Sequence, residues 1–219
     1  MAAGSGSRFG ADRPKQFCDL GGRPVVMTTI ERLRRCGGDI VLVLSPDWTR
    51  PWNEMCSLHS FTSPRVVTGG ATRWESVRRG LEAVSPEARV ITVHDGARPV
   101  VEPDLVRRLV EAVTSGADGA IPVTPMTDSL RRVNSDGSSY AVDRAPLRAV
   151  QTPQVFPADR LRRAYTLPYR TDFTDDASVV EAAGFTRLVL VEGSPRNIKI
   201  TRPGDIEIAN IYLAASDVL

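Results

Sequence analysis

Arg89-Val-Ile-Thr-Val-His-Asp-Gly-Ala-Arg-Pro99 decides the fold. Its first five residues are rich in β-branched side chains, and turn signals bound them, which predicts a buried strand. The strand then runs straight into a loop carrying His94, Asp95 and Arg98. A second run, Asp39-Ile-Val-Leu-Val-Leu44, has the same character. Amphipathic patterns lie around these strands. Val26 to Leu33 predicts one helix. Thr72 to Val84 predicts another, opened by Thr72 and Glu75 at capping-box spacing. Pro103 to Val113 predicts a third, with Pro103 in the first turn and Leu105, Leu109 and Val113 on one face. Strands alternating with helices imply an α/β fold, a mostly parallel sheet with helices on both faces.

Further along, Ser129-Leu-Arg-Arg-Val133 and Ser139-Tyr-Ala-Val142 flank Asn134-Ser-Asp-Gly137. Two short β-like runs around such a turn predict a hairpin over residues 127–142 that projects from the domain. Helices are expected from about Ala158 to Tyr165 and from Asp175 to Ala183. A strand is expected at Arg187 to Val191 and a last helix from near Pro203. The 219 residues are read as one domain, 1–219.

Composition narrows the function. Hydrophobic residues make up 42% and charged residues 25%, and 28 basic against 26 acidic residues leave a net charge of +2. That balance argues against nucleic acid or membrane as the main partner. Cys18, Cys36 and Cys56 are odd in number and widely spaced, which fits a reducing compartment rather than disulfides or zinc. With no apolar run of about 20 residues and no signal-peptide pattern, a cytoplasmic location is expected.

Six segments carry candidate chemistry. In Ala2-Ala-Gly-Ser-Gly-Ser-Arg-Phe-Gly10, Gly4, Gly6 and Gly10 let backbone N–H groups close on phosphate oxygens, and Arg8 and Lys15 add positive charge. The spacing is neither the dinucleotide fingerprint nor the P-loop. Gly69-Gly-Ala-Thr-Arg-Trp-Glu-Ser76 runs a double glycine into a helix N-terminus, a natural anion or polar-edge site. Asp95 and Arg98 stand where open α/β sheets bind ligands. His94 reads as structural, since no serine or cysteine nucleophile motif accompanies it. The others are Asp143-Arg144 with Gln151-Thr-Pro-Gln-Val-Phe156, then Thr174-Asp-Asp176, and Asn197-Ile-Lys-Ile-Thr201. The last is expected as a strand whose Lys199 faces away from Ile198 and Ile200. Taken singly, each segment is also what an ordinary loop, cap or surface lysine looks like.

In their order, AAGSGSRFG, PKQF, GGATRWESV, HDGARP, DR, QTPQVF, TDDAS and NIKIT resemble the 2-C-methyl-D-erythritol 4-phosphate cytidylyltransferase family of the non-mevalonate isoprenoid pathway. The resemblance runs from Ala2 to about Leu213. It implies a Rossmann-like nucleotidyltransferase that uses CTP and magnesium to convert a sugar-alcohol phosphate, as a homodimer exchanging the 127–142 arm. It implies catalytic roles for Arg8, Lys15 and Lys199. Ala2, Ala3, Gly4, Gly6, Gly69, Arg73, Ser76, Asp95 and Gly96 would bind the nucleotide, with Asp95 also on the metal. Asp95, Arg98, Arg144, Thr152, Thr174 and Lys199 would bind the acceptor, Arg144 and Thr152 from the partner subunit.

The chain departs from that pattern in three places. Ala71 stands where the family often has an acidic residue, and Gly96 where many relatives have alanine. The family's first, central strand precedes the Ala-Ala-Gly loop, whereas here Met1 directly precedes Ala2. A gap in the sheet is therefore expected, with either a true start further upstream or a fragment of the whole protein as its cause. Two other readings compete. One is a ribitol 5-phosphate cytidylyltransferase, which shares the glycine loop and the Gln-Thr-Pro-Gln run. The other is a non-catalytic nucleotide-binding subunit.

Overall fold

The structure is a computed structural model and describes residues 1–4 and 13–216. Along the chain come strands β1 (Asp19–Leu20) and β2 (Arg23–Pro24), helix α1 (Val25–Arg34), β3 (Val41–Leu44), α2 (Thr49–Leu58), β4 (Arg65–Thr68), α3 (Arg73–Glu82), β5 (Val90–Val93) and α4 (Pro103–Thr114). They are followed by β6 (Gly119–Pro125), β7 (Leu130–Val133), β8 (Ser139–Val142), β9 (Arg148–Val150), β10 (Gln154–Pro157), α5 (Ala158–Ala164), α6 (Asp176–Ala182), β11 (Leu188–Glu192) and α7 (Asp205–Ser216).

Most of the sheet is parallel. β3 pairs with β4 and β6 with β11 in parallel. β5 and β6 both pair antiparallel with β10, so they run the same way as each other. Short β9 is the other antiparallel member, against the end of β6. Consecutive residues of β6 show why helices cover both faces, because side chains alternate across a strand. Ala120 packs with Leu105, Leu109 and Val113 of α4. Its neighbour Ile121 packs on the other side with α3, α5 and α6 through Val77, Leu161 and Val180.

Met1 and Ala2 occupy the centre. The Met1 amine donates to the His94 carbonyl at 2.6 Å, and the Met1 carbonyl accepts from Gly96 N–H at 2.7 Å. Ala2 N–H donates to the Val43 carbonyl at 2.8 Å. These two residues join the β3–β4 half of the sheet to the β5–β11 half. A channel of about 1040 Å³ lies between β3 and β5, lined by Leu42, Val43, Val77, Ile91 and Val93 among others.

The hairpin forms as expected, with Leu130 opposite Val142 and Val133 opposite Ser139. Gly137 supplies the positive φ of 84° that its turn needs. One expected strand does not form, at Asn197-Ile-Lys-Ile-Thr201. Its one backbone-to-backbone bond to a neighbouring segment runs from Ile200 N–H to the Ala97 carbonyl, 2.8 Å away. The apolar alternation still sets the facing, since Ile200 is fully buried and Ile198 packs beside it while Lys199 turns outward. Among the described residues, no helix is long and apolar enough to cross a membrane.

Candidate active site

A cleft of about 670 Å³ opens above the C-terminal ends of β3 and β5. Its walls come from segments far apart in the chain: Met1 to Gly4, Lys15 and Gln16, Gly70 to Arg73, Ser76, Asp95, Ala97, Lys199, Thr201 and Arg202. The sheet brings them together because loops at one end of parallel strands converge. Lys15, Arg73, Lys199 and Arg202 are cationic, and Asp95 is the one acidic residue among the described lining.

The floor is built by close approach of backbones. A Cβ on Gly69 would lie 2.8 Å from both Ala3 Cβ and Ser76 Oγ. A Cβ on Gly96 would lie 3.0 Å from Ala2 Cβ and 3.1 Å from the Met1 carbonyl oxygen. Glycine at 96 therefore lets Met1 and Ala2 settle against this loop, a physical reason for a departure seen in the sequence. Gln16 then ties the first glycine segment down, its Nε2 donating to the carbonyls of Ala2 and Gly4, both at 2.8 Å. Sequence reading passed over Gln16, since a glutamine beside a promising lysine gives no signal of its own.

At the second glycine segment, Thr72 caps α3 by accepting from Glu75 N–H at 3.0 Å. The reciprocal bond of a capping box is displaced by one residue: the Glu75 carboxylate takes the Ala71 N–H at 2.9 Å. Ser76 Oγ accepts from Gly70 N–H at 3.0 Å and so fixes the glycine pair.

Asp95 is the electrostatic centre. Its Oδ2 lies 2.9 Å from Lys199 Nζ and 3.5 Å from Arg98 Nε. Burial alone would raise the pKa of this carboxyl. Lys199 first, then Arg73 and Arg98, outweigh burial and hold it well below the usual carboxylate range, so Asp95 is an anion. Beneath it runs a chain of hydrogen bonds. Asp95 N–H donates to Thr152 Oγ1 at 3.0 Å, and Thr152 Oγ1 lies 3.2 Å from His94 Nδ1. His94 Nε2 lies 3.0 Å from the Arg98 carbonyl. A carbonyl only accepts, which assigns the proton to Nε2 and makes Nδ1 the acceptor of the Thr152 hydroxyl. Burial pushes the His94 pKa down to about 4, so the ring is neutral at pH 7. Arg98 anchors the next segment by donating from Nη1 to the Asn197 carbonyl at 2.8 Å, two residues before Lys199.

The structure sorts the expected residues. Ala2, Ala3, Gly4, Lys15, Arg73, Ser76, Asp95 and Lys199 line the cleft. Gly69, Gly96, Arg98 and Thr152, all four buried, support it from beneath. The Thr152 hydroxyl is engaged by Asp95 and His94, which leaves it directed into the protein rather than towards a ligand. Arg144 and Thr174 are exposed and lie outside this cleft. Gly6 and Arg8 fall outside the described residues.

Known proteins resemble this chain along nearly its whole length. The pattern of the 2-C-methyl-D-erythritol 4-phosphate cytidylyltransferase family matches residues 1–215. The enzyme of that name from Porphyromonas gingivalis is 45% identical over 98% of this chain and 96% of its own length. The one from Bacteroides fragilis is 42% identical, covering 97% of each chain. Among solved structures, the 2-C-methyl-D-erythritol 4-phosphate cytidylyltransferase of Thermus thermophilus is similar at a TM-score of 0.75 and 34% identity, covering 92% of this chain and 94% of that one. The 4-diphosphocytidyl-2C-methyl-D-erythritol synthase of Anaerococcus prevotii is similar at a TM-score of 0.78 and 27% identity, covering 97% and 95%.

Proposed function

Because the chain belongs to the 2-C-methyl-D-erythritol 4-phosphate cytidylyltransferase family, we propose that this cleft is where CTP and its acceptor meet. The reaction moves CMP from CTP to 2-C-methyl-D-erythritol 4-phosphate and releases pyrophosphate, a step of non-mevalonate isoprenoid synthesis. The observation that carries the assignment to this cleft is its charge: four cations and one carboxylate among the described lining residues, around a space of about 670 Å³.

A phosphate oxygen of the acceptor attacks the α-phosphorus of CTP in line as the bond to pyrophosphate breaks. The attacking phosphate is already ionised, so no general base is required. Both reactants are anions, and catalysis consists of holding them in line and stabilising the charge that accumulates at phosphorus. Lys199 and Lys15 supply fixed positive charge from opposite segments of the cleft wall, and Arg8 adds to it from the glycine loop. Ala2, Ala3, Gly4 and Gly6 present backbone to the nucleotide, and Arg73 and Ser76 hold its nucleoside half.

The residues suit a divalent cation that arrives with the triphosphate. Magnesium typically takes one or two carboxylates with phosphate oxygens and water. Asp95 is that carboxylate, and no group of three metal-ligating side chains occurs among the described residues. Asp95 would hold the ion, which neutralises phosphate charge when bound.

The hairpin β7–β8 exposes Val133 and Tyr140. Arg144, just past it, donates to the Thr127 carbonyl at the base of the arm. Apolar residues on a projecting arm, with Arg144 outside its own cleft, support a homodimer in which the arm reaches the partner's cleft. Deleting residues 130–142 is expected to give a monomer by sedimentation; an unchanged dimer would refute arm exchange. The activity itself is tested by pyrophosphate release with CTP and magnesium. Release with 2-C-methyl-D-erythritol 4-phosphate and none with ribitol 5-phosphate is expected, and the reverse would overturn the assignment of acceptor.

A further inference from the structure

Arg73 begins α3, yet its side chain is tied to the start of α6, about a hundred residues later. Its Nη1 donates to Asp176 Oδ1 at 3.0 Å and its Nη2 to Oδ2 at 2.6 Å. The Tyr165 hydroxyl donates to Oδ1 as well, at 2.6 Å. Asp176 has no exposed surface, while the Arg73 side chain keeps 35% of its own and lines the cleft. One end of the pair is thus sealed in the core and the other opens on the site.

A buried ion pair is a poor way to make a fold stable, because the cost of taking both charges from water often exceeds their attraction. What a bidentate carboxylate does supply is orientation: it fixes the guanidinium plane. The carboxylate is itself held from every side. Trp74 stacks on Tyr165 with ring centres 5.9 Å apart. Gln154 of β10, fully buried, donates to Asp175 at 2.8 Å and accepts from Ala177 N–H at 3.0 Å, which pins the two residues flanking Asp176. Two of the five guanidinium N–H groups go to Asp176, leaving three. With its charge offset by Asp176, Arg73 presents directed donors, which suit the neutral acceptors of a nucleoside, its carbonyl, ring nitrogen and hydroxyls.

We propose that Asp176 is the positioning residue of the nucleotide site, holding the Arg73 guanidinium at the orientation in which its remaining donors meet the nucleoside half of CTP. This rests on the reading of the cleft as the CTP site. Tyr165 acts in turn on Asp176.

A double-mutant cycle with Arg73→Ala, Asp176→Asn and both together tests it. Calorimetry gives the affinity for CTP, and steady-state kinetics gives KM for each substrate. Each single variant is expected to weaken CTP binding about tenfold, the effect of losing one hydrogen bond to a charged group, with KM for the acceptor within about twofold. The double variant is expected to be no worse than Arg73→Ala. Multiplying losses would overturn the proposal, and so would unchanged CTP affinity in Asp176→Asn, or equal losses for both substrates. Should Asp176→Asn fail to fold, Tyr165→Phe takes its place: a rise of about threefold in KM for CTP that vanishes in the Arg73→Ala background is expected, and no rise would overturn it. Wild-type protein that binds no CTP would instead sink the reading of the cleft.

Discussion

Asp95 and Asp176 are two carboxylates withdrawn from water and each held by an arginine, but their surroundings differ in one respect. Asp176 is closed in by Arg73 and Tyr165, with no surface left. Asp95 has Arg98 behind it and Lys199 in front, and the Lys199 side chain is 41% exposed. A planar guanidinium gripped at two points is fixed, whereas an ammonium on a flexible stem is a point charge that can turn to another anion. Phosphate entering the cleft competes with Asp95 for Lys199; nothing entering it competes with Arg73 for Asp176. The two centres divide the work, one supplying charge that responds to substrate and the other supplying fixed direction.

The sharpest way to break this division is at Lys199. Lys199→Ala is expected to lower kcat by about a hundredfold or more, a far larger effect than the stability lost by leaving Asp95 with Arg98 and Arg73 alone. Near-normal turnover would remove Lys199 from the chemistry. Lys15→Ala is expected to behave alike, and a large loss of stability there would show that the lysine serves the fold instead.

The support beneath Asp95 is tested by pH. His94 is neutral in the folded chain, with its pKa lowered from 6.5 to about 4 by burial. The unfolded chain binds a proton there between those values and the folded chain does not, so stability is complete above about pH 6.5 and falls as pH drops towards 4. At full extent the loss is roughly 3 kcal/mol. Urea unfolding at pH 7 and pH 5 is expected to show the weakening, and His94→Gln to flatten it. An equal pH dependence in the variant would place the proton elsewhere.

The smallest effect belongs to the Asp176 side. Asp175 caps α6 by accepting from Ser178 N–H at 2.9 Å. Asp175→Ala is expected to cost about 1 kcal/mol of stability, with kcat unchanged. A hundredfold loss of kcat would mean that α6 serves the chemistry directly and that the two centres are not separate.

Much of the fold could be read from local pattern. Helices α1, α3, α4, α5 and α6, strands β3, β5 and β11, and the β7–β8 hairpin formed within a few residues of their expected bounds, because each carries its own periodicity and turn residues. The strand expected at Asn197 to Thr201 did not form. Its alternation reported truly which side is buried, yet pairing needs a free edge beside it, and that is a property of the neighbours. Gln154-Val-Phe-Pro157 was read for its motif, and nothing in four residues shows that they enter the sheet antiparallel between β5 and β6.

The site divides along the same line. Residue identity is enough to tell which segments carry cations and close-packing glycines, since residue type fixes charge, and the absence of a Cβ is a local fact. That Asp95 meets Lys199, that Thr152 lies beneath Asp95 and not in the cleft, and that Arg73 is held by Asp176 follow from the packed fold. Each of those contacts joins positions distant in the chain, and their distances follow from how helices and strands pack, which no local pattern records.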